Sequence, residues 1–218
     1  MSNARDEILA GIRRSLHRSG PLNESVRTAL EARIMTSVAH VKPVFTEDPV
    51  ERFIAKLEGV AGKVTQAASL ADVPDAVTAH IRAHNLPMRI VTGTSELLSS
   101  IDWPAHLTVE RRAATGDDQI AVTDALAGIA ETGTLVMLSS PDSPTTQRFL
   151  PEDHLVVVKR EQIVRHLEDA WTKVRSEATG IPRVVNFVGG PSKTADVEQT
   201  IQVGAHGPRR FHVVLVDG

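Results

Sequence analysis

The sequence predicts an α/β protein, a mostly parallel sheet flanked by helices and preceded by an N-terminal helical extension. Three observations predict it. Helical and strand patterns alternate from about residue 47 to the end, the signature of βαβ units. The runs "HLVVVKR" and "FHVVLVDG" are nearly continuous in apolar residues, as parallel strands buried on both faces must be. Residues 3–18 place Ile8, Leu9, Ile12 and Leu16 on one helical stripe, and Gly20-Pro21 ends the pattern before any strand begins.

The elements follow in order. After the first amphipathic helix, "NESVRTALEARIMTSVAH" reads as a second helix and "VKPVFTEDP" as a linker, so residues 1–45 form the extension and 46–218 the main domain. There "DPVERFIAKLEGV" is helical, "KVTQAAS" a strand, "DVPDAVTAHIRAHN" helical, and "MRIVTG" and "HLTVERR" strands. "DQIAVTDALAGIA" reads as a strand through Asp124 followed by one helical turn, and "TGTLVMLSS" as a strand. "EQIVRHLEDAWTKVRSE" is helical, "RVVNFVGG" a strand, and the segment after Pro191 a short helix leading to the last strand. In a parallel sheet ligands sit beyond the carboxyl ends of the strands. That rule points to Gly93-Thr94-Ser95, Ser139 to Ser143, and Gly189 to Asp196.

Composition excludes several functions. The 218 residues hold 41% hydrophobic but only 3% aromatic side chains and no Tyr, so a base-stacking surface for nucleic acid is not available. A net charge of -3, from 24 Lys and Arg against 27 Asp and Glu, gives no field for a polyanion. Without cysteine the chain offers no thiolate for zinc, for nucleophilic attack or for an iron-sulfur cluster. No apolar run approaches the roughly 18 residues of a membrane span, and the start lacks a signal-like apolar core, so a cytoplasmic protein is expected.

Two constellations carry candidate chemistry. At the first, Gly189 and Gly190 allow close backbone approach, and Ser192 or Thr194 would cap the short helix, leaving N–H groups for a phosphate or carboxylate. Asp196 and Glu198 in the same turn would repel an anion placed too near, and an ordinary capped turn is the alternative. His206, on an irregular segment before the last strand, would serve as a general acid or base, or simply as a surface cation. At the second, Asp124 ends a strand and Glu131-Thr132-Gly133-Thr134 makes a sharp turn. Glu131 there points into a cleft or only hydrogen-bonds neighbouring N–H groups. Arg148 would fork onto a carboxylate ligand or lie in solvent. His80 and His84 stand one helical turn apart, but no third metal ligand is evident and no metal site is expected.

The motifs "GIAETGTLVMLSS", "LPEDHLVVV" and "GGPSKTADVEQTIQVGAHGPRRFHVVLVDG", together with Asp124, resemble the LUD-domain family over roughly residues 120–218. The resemblance implies a NagB/RpiA/CoA-transferase-like fold and a part in bacterial L-lactate oxidation to pyruvate beside two iron-sulfur companion proteins. A cysteine-free chain would then be an accessory component that binds a small carboxylate or a cofactor of unknown identity. The resemblance assigns no catalytic residue, so Glu131, Thr134, Asp196 and His206 are candidates by position and chemistry. A stand-alone enzyme acting on a phosphorylated or CoA-linked metabolite, with Glu131 as nucleophile or base, is the alternative, and an interaction module built on the first helix is a third.

Overall fold

The computed structural model describes residues 4–18, 20–35, 41–177, 182–197 and 200–217. Backbone contacts divide the chain into Met1–Lys42 and Pro43–Gly218. The first unit holds α1 (Ala4–Ser15) and α2 (Glu24–Met35). None of the α1 side chains is buried, and Ile8 and Ile12 of its apolar stripe are exposed.

The second unit opens with α3 (Pro49–Glu58), which starts where the sequence dictates: the Asp48 carboxylate accepts hydrogen bonds from the N–H groups of Val50 and Glu51, and Pro49 sits in the first turn. Val50, Phe53 and Leu57 form its buried stripe. Then come β1 (Lys63–Ala67), α4 (Val73–Ala83), β2 (Arg89–Thr92), the single-turn α5 (Glu96–Ser99), β3 (Thr108–Arg111) and β4 (Ile120–Asp124). They are followed by β5 (Ala127–Ile129), β6 (Thr134–Leu138), α6 (Thr146–Phe149), β7 (Asp153–Lys159), β8 (Ile163–Val164), α7 (Leu167–Glu177) and β9 (Val185–Val188). The chain closes with β10 (Lys193–Val197), β11 (Thr200–Val203) and β12 (Arg210–Val216).

Among the described residues the main sheet is six-stranded, ordered β1-β12-β7-β4-β2-β3, and every pairing in it is parallel. The alternation of strand and helix patterns therefore reads correctly as a parallel α/β sheet with covered faces. On one face Ile90, Val122, Leu155 and Val214 pack against Val73, Val77 and Ile81 of α4 and Leu98 of α5. On the other, Val156, Val213 and Leu215 meet Phe53 and Leu57 of α3 and Leu135 and Met137 of a second sheet. That second sheet runs β8-β5-β6-β9, with antiparallel β5–β6 and β6–β9 pairs, and α7 covers its far side through Ala170 and Val174.

Three local expectations are corrected. The helical turn expected after Asp124 is strand β5: "AGI" is too short to show a period, and Gly128 is what lets it pack, since a Cβ there would stand 2.5 Å from Ile163 and 3.0 Å from Phe53. The helix expected over 161–177 begins only at Leu167, because Ile163 and Val164 pair with β5 as β8. The short helix expected after Pro191 is the β10–β11 hairpin, where the β-branched residues of "KTADV" and "TIQV" favour pairing. No helix N-terminus therefore faces an anion at this elbow. The Ser192 N–H already donates to the Pro208 carbonyl, and the Gly204 N–H to the Ser192 carbonyl. Glu198 lies outside the described residues.

Candidate functional site

The strand order places the switch point of the parallel sheet at β2, whose neighbours are reached in opposite directions, β3 on one side and β4 on the other. Beyond its carboxyl end the chain turns through Gly93-Thr94-Ser95. A side chain at Gly93 would collide with the Asp142 carbonyl, its Cβ 2.2 Å from that oxygen, so glycine is required for the loop of residues 140–143 to close over this strand end. Thr94 fastens that loop by donating its N–H to the Asp142 carbonyl at 2.8 Å and its hydroxyl to the Asp142 carboxylate at 2.6 Å.

Ser95 caps α5, and its hydroxyl favours the charged carboxylate of Asp124, the last residue of β4. Burial pushes the Asp124 carboxyl above the usual range, while Ser95 and the charge of Arg148 pull it down. Arg148, on α6, is 1% exposed. It donates to the Asn186 side chain at 2.7 Å, the Leu138 carbonyl at 2.5 Å and the Ser143 hydroxyl at 2.7 Å, and its Nε has no acceptor. Burial lowers the guanidinium pKa to about 10, and the nearby Asp124 carboxylate opposes the shift. Behind it His154, on β7, contacts the Thr123 hydroxyl through Nε2 at 2.8 Å, and burial together with the Arg148 charge drives its pKa to about 3.

A groove of about 370 Å³ lies beside this cluster, lined by Leu97, Lys159, Glu161, Gln162 and Lys173. Leu97 follows Ser95 on α5. Gln162 donates to the carbonyls of Ala125 and Leu126, the two residues after Asp124. Lys159, Glu161 and Lys173 thus line a polar groove whose walls reach residues close in sequence to the Ser95 and Asp124 strand ends, with the Lys159 ammonium 3.8 Å from the Glu161 carboxylate.

Glu131 lies elsewhere. Its carboxylate meets Nδ1 of His166 at 3.2 Å, its N–H donates to the Arg165 carbonyl, and the His166 ring leans on Phe45, which is held between the guanidinium groups of Arg52 and Arg165. Gly133 takes a φ of 69° and presses on the end of α3. The hydroxyl of Thr132 donates to that of Thr134 at 2.9 Å. A Cβ on Gly189 would sit 3.2 Å from the Thr134 hydroxyl, and Gly190, with a φ of 131°, lies against Val60. The structure thus brings the Glu131 turn and the Gly189-Gly190 elbow together as packed neighbours.

It does not bring every candidate there. The partners of Asp124 are Ser95 and Arg148, and those of Glu131 are Arg165 and His166. Ser192 packs beside Gly207, Thr194 pairs with Gln202, Asp196 lies on β10, and His206 is exposed on the loop before β12. Lys159, Gln162, His166 and Lys173 escaped the sequence reading, whereas Ser95 lies in the Gly93-Thr94-Ser95 turn to which the strand-end rule pointed. The four that were missed lie on a strand end, a connecting turn and a helix face, where no local signal marks them.

Residues 50–216 match the LUD domain. The chain belongs to the LUD-domain family. It is 37% identical over 100 residues to lactate utilization protein C of Exiguobacterium and 34% identical over 138 residues to lactate utilization protein C of Bacillus licheniformis. Those matches cover 44% and 57% of this chain and the same shares of the relatives, so the chain spans about half the length of the curated relatives it matches. Its fold is similar to a crystal structure of a DUF162 family protein from Deinococcus radiodurans, with a TM-score of 0.61, 18% identity, and coverage of 80% of this chain and 99% of that one.

Proposed function

We propose that this chain is an accessory, non-redox component of a bacterial lactate-utilisation system, a cytoplasmic partner of iron-sulfur proteins that carry the electrons from L-lactate to their acceptor. The absence of any cysteine supports the division of labour. Similarity to two proteins named lactate utilization protein C supports the pathway. Residues 46–218 would act as the working domain and 1–45 as a helical extension.

The observation that carries the ligand reading is Asp124, half-buried between Ser95 and Arg148 at the switch point of the sheet and beside the groove that holds Lys159 and Lys173. A small carboxylate draws the Lys159 ammonium from its 3.8 Å pair with Glu161, its hydroxyl turned toward Asp124. Glu131, Thr132, Gly133, Thr134, Gly189 and Gly190 then form a supporting corner rather than the ligand contact, because the Glu131 carboxylate is already met by His166. The test is the rate of L-lactate-dependent dye reduction by the iron-sulfur partners with this chain, without it, and with its Asp124→Asn or Glu131→Gln variant. The expected result is a rate that requires the chain, falls at least about tenfold with Asp124→Asn, equivalent to about 1.4 kcal/mol, and changes little with Glu131→Gln. A rate indifferent to the chain overturns the accessory role, and a loss confined to Glu131→Gln moves the ligand to the other corner.

A further inference from the structure

At the opposite, amino-terminal end of the parallel strands, three buried side chains and the half-buried Thr65 form one hydrogen-bonded line. Asp153 opens β7 and is gripped by Arg210, which opens β12, through two bonds of 2.5 and 2.6 Å. The other flank of Asp153 receives Nε2 of His80, on α4, at 2.7 Å. Nδ1 of His80 meets Nδ1 of His212, on β12, at 3.1 Å, and Nε2 of His212 meets the Thr65 hydroxyl, on β1, at 2.8 Å. Asp153, His80 and His212 are 0, 2 and 1% exposed. The line therefore ties α4 to three strands of the sheet, and both nitrogens of His80 are committed to it.

The contact between two ring nitrogens sets a limit on protons. One hydrogen must lie between the facing Nδ1 atoms, because two lone pairs or two N–H groups 3.1 Å apart repel. In the uncharged line His80 donates through Nε2 to Asp153, His212 donates through Nδ1 to His80, and Thr65 donates to His212. One added proton is tolerated: His80 becomes an imidazolium beside the Asp153 carboxylate, its Nδ1–H donates to His212, and His212 donates through Nε2 to Thr65. A second added proton sets N–H against N–H in a site with no solvent to absorb the charge.

The surroundings make that second proton costlier. His84, one turn along α4, has its ring centroid 4.6 Å from that of His80, Lys63 acts on the site from β1, and Arg210 from β12. Facing them are the carboxylate of Asp153, already shared by Arg210 and His80, and Glu152, which acts on Arg210.

We propose that the Asp153–His80–His212–Thr65 line is an acid-sensitive latch that holds α4 on the sheet while no more than one added proton resides in it and releases α4 when both imidazoles are charged. Burial and the neighbouring cations lower the His212 pKa to about 3, in keeping with a closed state that refuses this proton. An exposed imidazole titrates near 6.5, so the closed form is favoured above that pH and loses ground as the pH falls toward 3. Release loosens an apolar layer that α4 shares with Leu98 of α5.

Amide hydrogen exchange on the intact chain, corrected for the intrinsic pH dependence of exchange, tests the latch. The α4 amides are expected to lose protection about tenfold per pH unit below pH about 6, one proton per opening, while the amides of β4 and β7 hold theirs. His212→Asn, which keeps a polar group but cannot be charged, is expected to flatten that slope. An NMR titration of the wild-type imidazoles gives a readout independent of the variant: His212 is expected to remain neutral down to pH about 4 and to gain its proton together with the change in α4. Equal slopes for α4, β4 and β7 overturn the latch, as does a His212 that titrates near 6.5 with α4 unmoved.

Discussion

Gly133→Ala separates a glycine held by packing from one held for a ligand. In the wild type Gly133 has a φ of 69°, in the left-handed region, and a Cβ placed there stands 2.5 Å from the Leu57 nitrogen and 2.8 Å from atoms of Lys56. The obstacle is mostly backbone at the end of α3, which no rotamer change relieves. The left-handed conformation costs a non-glycine residue about 1–2 kcal/mol, and forcing an added carbon into packed structure about 1–3 kcal/mol. The expected loss is therefore about 2–5 kcal/mol. In a protein of this size each kcal/mol moves Tm by roughly 2–4 °C, so a mid-range loss lowers it by roughly 7–14 °C. Urea unfolding read by circular dichroism should show a lower midpoint with an unchanged slope. Gly189→Ala is the internal control: its Cβ comes only to 3.2 Å from the Thr134 hydroxyl, a side-chain atom, and a loss below about 1 kcal/mol is expected. A Gly133→Ala midpoint equal to that of the wild type, or no worse than that of Gly189→Ala, would refute the packing argument.

His154 is buried and its pKa is lowered to about 3, so the unfolded chain binds a proton that the folded chain refuses. Stability is then full above pH about 6.5 and falls as the pH drops toward 3, by up to about 1.4 kcal/mol per unit from this group. His154→Gln should shrink the difference between urea midpoints at pH 7 and pH 5, and an unchanged difference would clear His154 of the effect. Arg148→Lys keeps the charge but cannot reach Asn186, Leu138 and Ser143 with one planar fork, and a loss of about 2–4 kcal/mol is expected in the same unfolding assay. Wild-type stability in that variant would mean that a simple cation suffices.

The parallel sheet was legible because its signal is local and repeated. "HLVVV" and "FHVVLV" have no polar face, which only a strand covered on both sides requires, and Val73, Val77 and Ile81 recur at helical spacing. Asp124 was legible as an acid at the end of such a strand. The second sheet was not: β5 and β8 have three and two residues, too few for any period, and become strands only because each finds a partner. The hairpin after Pro191 went the same way, since Ser and Thr at a helix start and Thr in a strand look alike until the pairing between Thr194 and Gln202 decides.

What the sequence determined by itself was the class of fold, its dependence on aliphatic packing, and the inability of a cysteine-free chain to hold an iron-sulfur cluster through thiolates. These are properties of composition and short-range order. Only the tertiary structure decided which polar residues face one another. Ser95 lies 29 residues from Asp124, and Arg148 another 24 further on, and they meet because β2 and β4 are neighbours in the sheet and α6 folds back over them. His80 reaches His212 across 132 residues for the same reason. Side-chain chemistry is written residue by residue, but burial and charge proximity, which set the protonation of Asp124, His154 and His212, exist only once distant segments have packed.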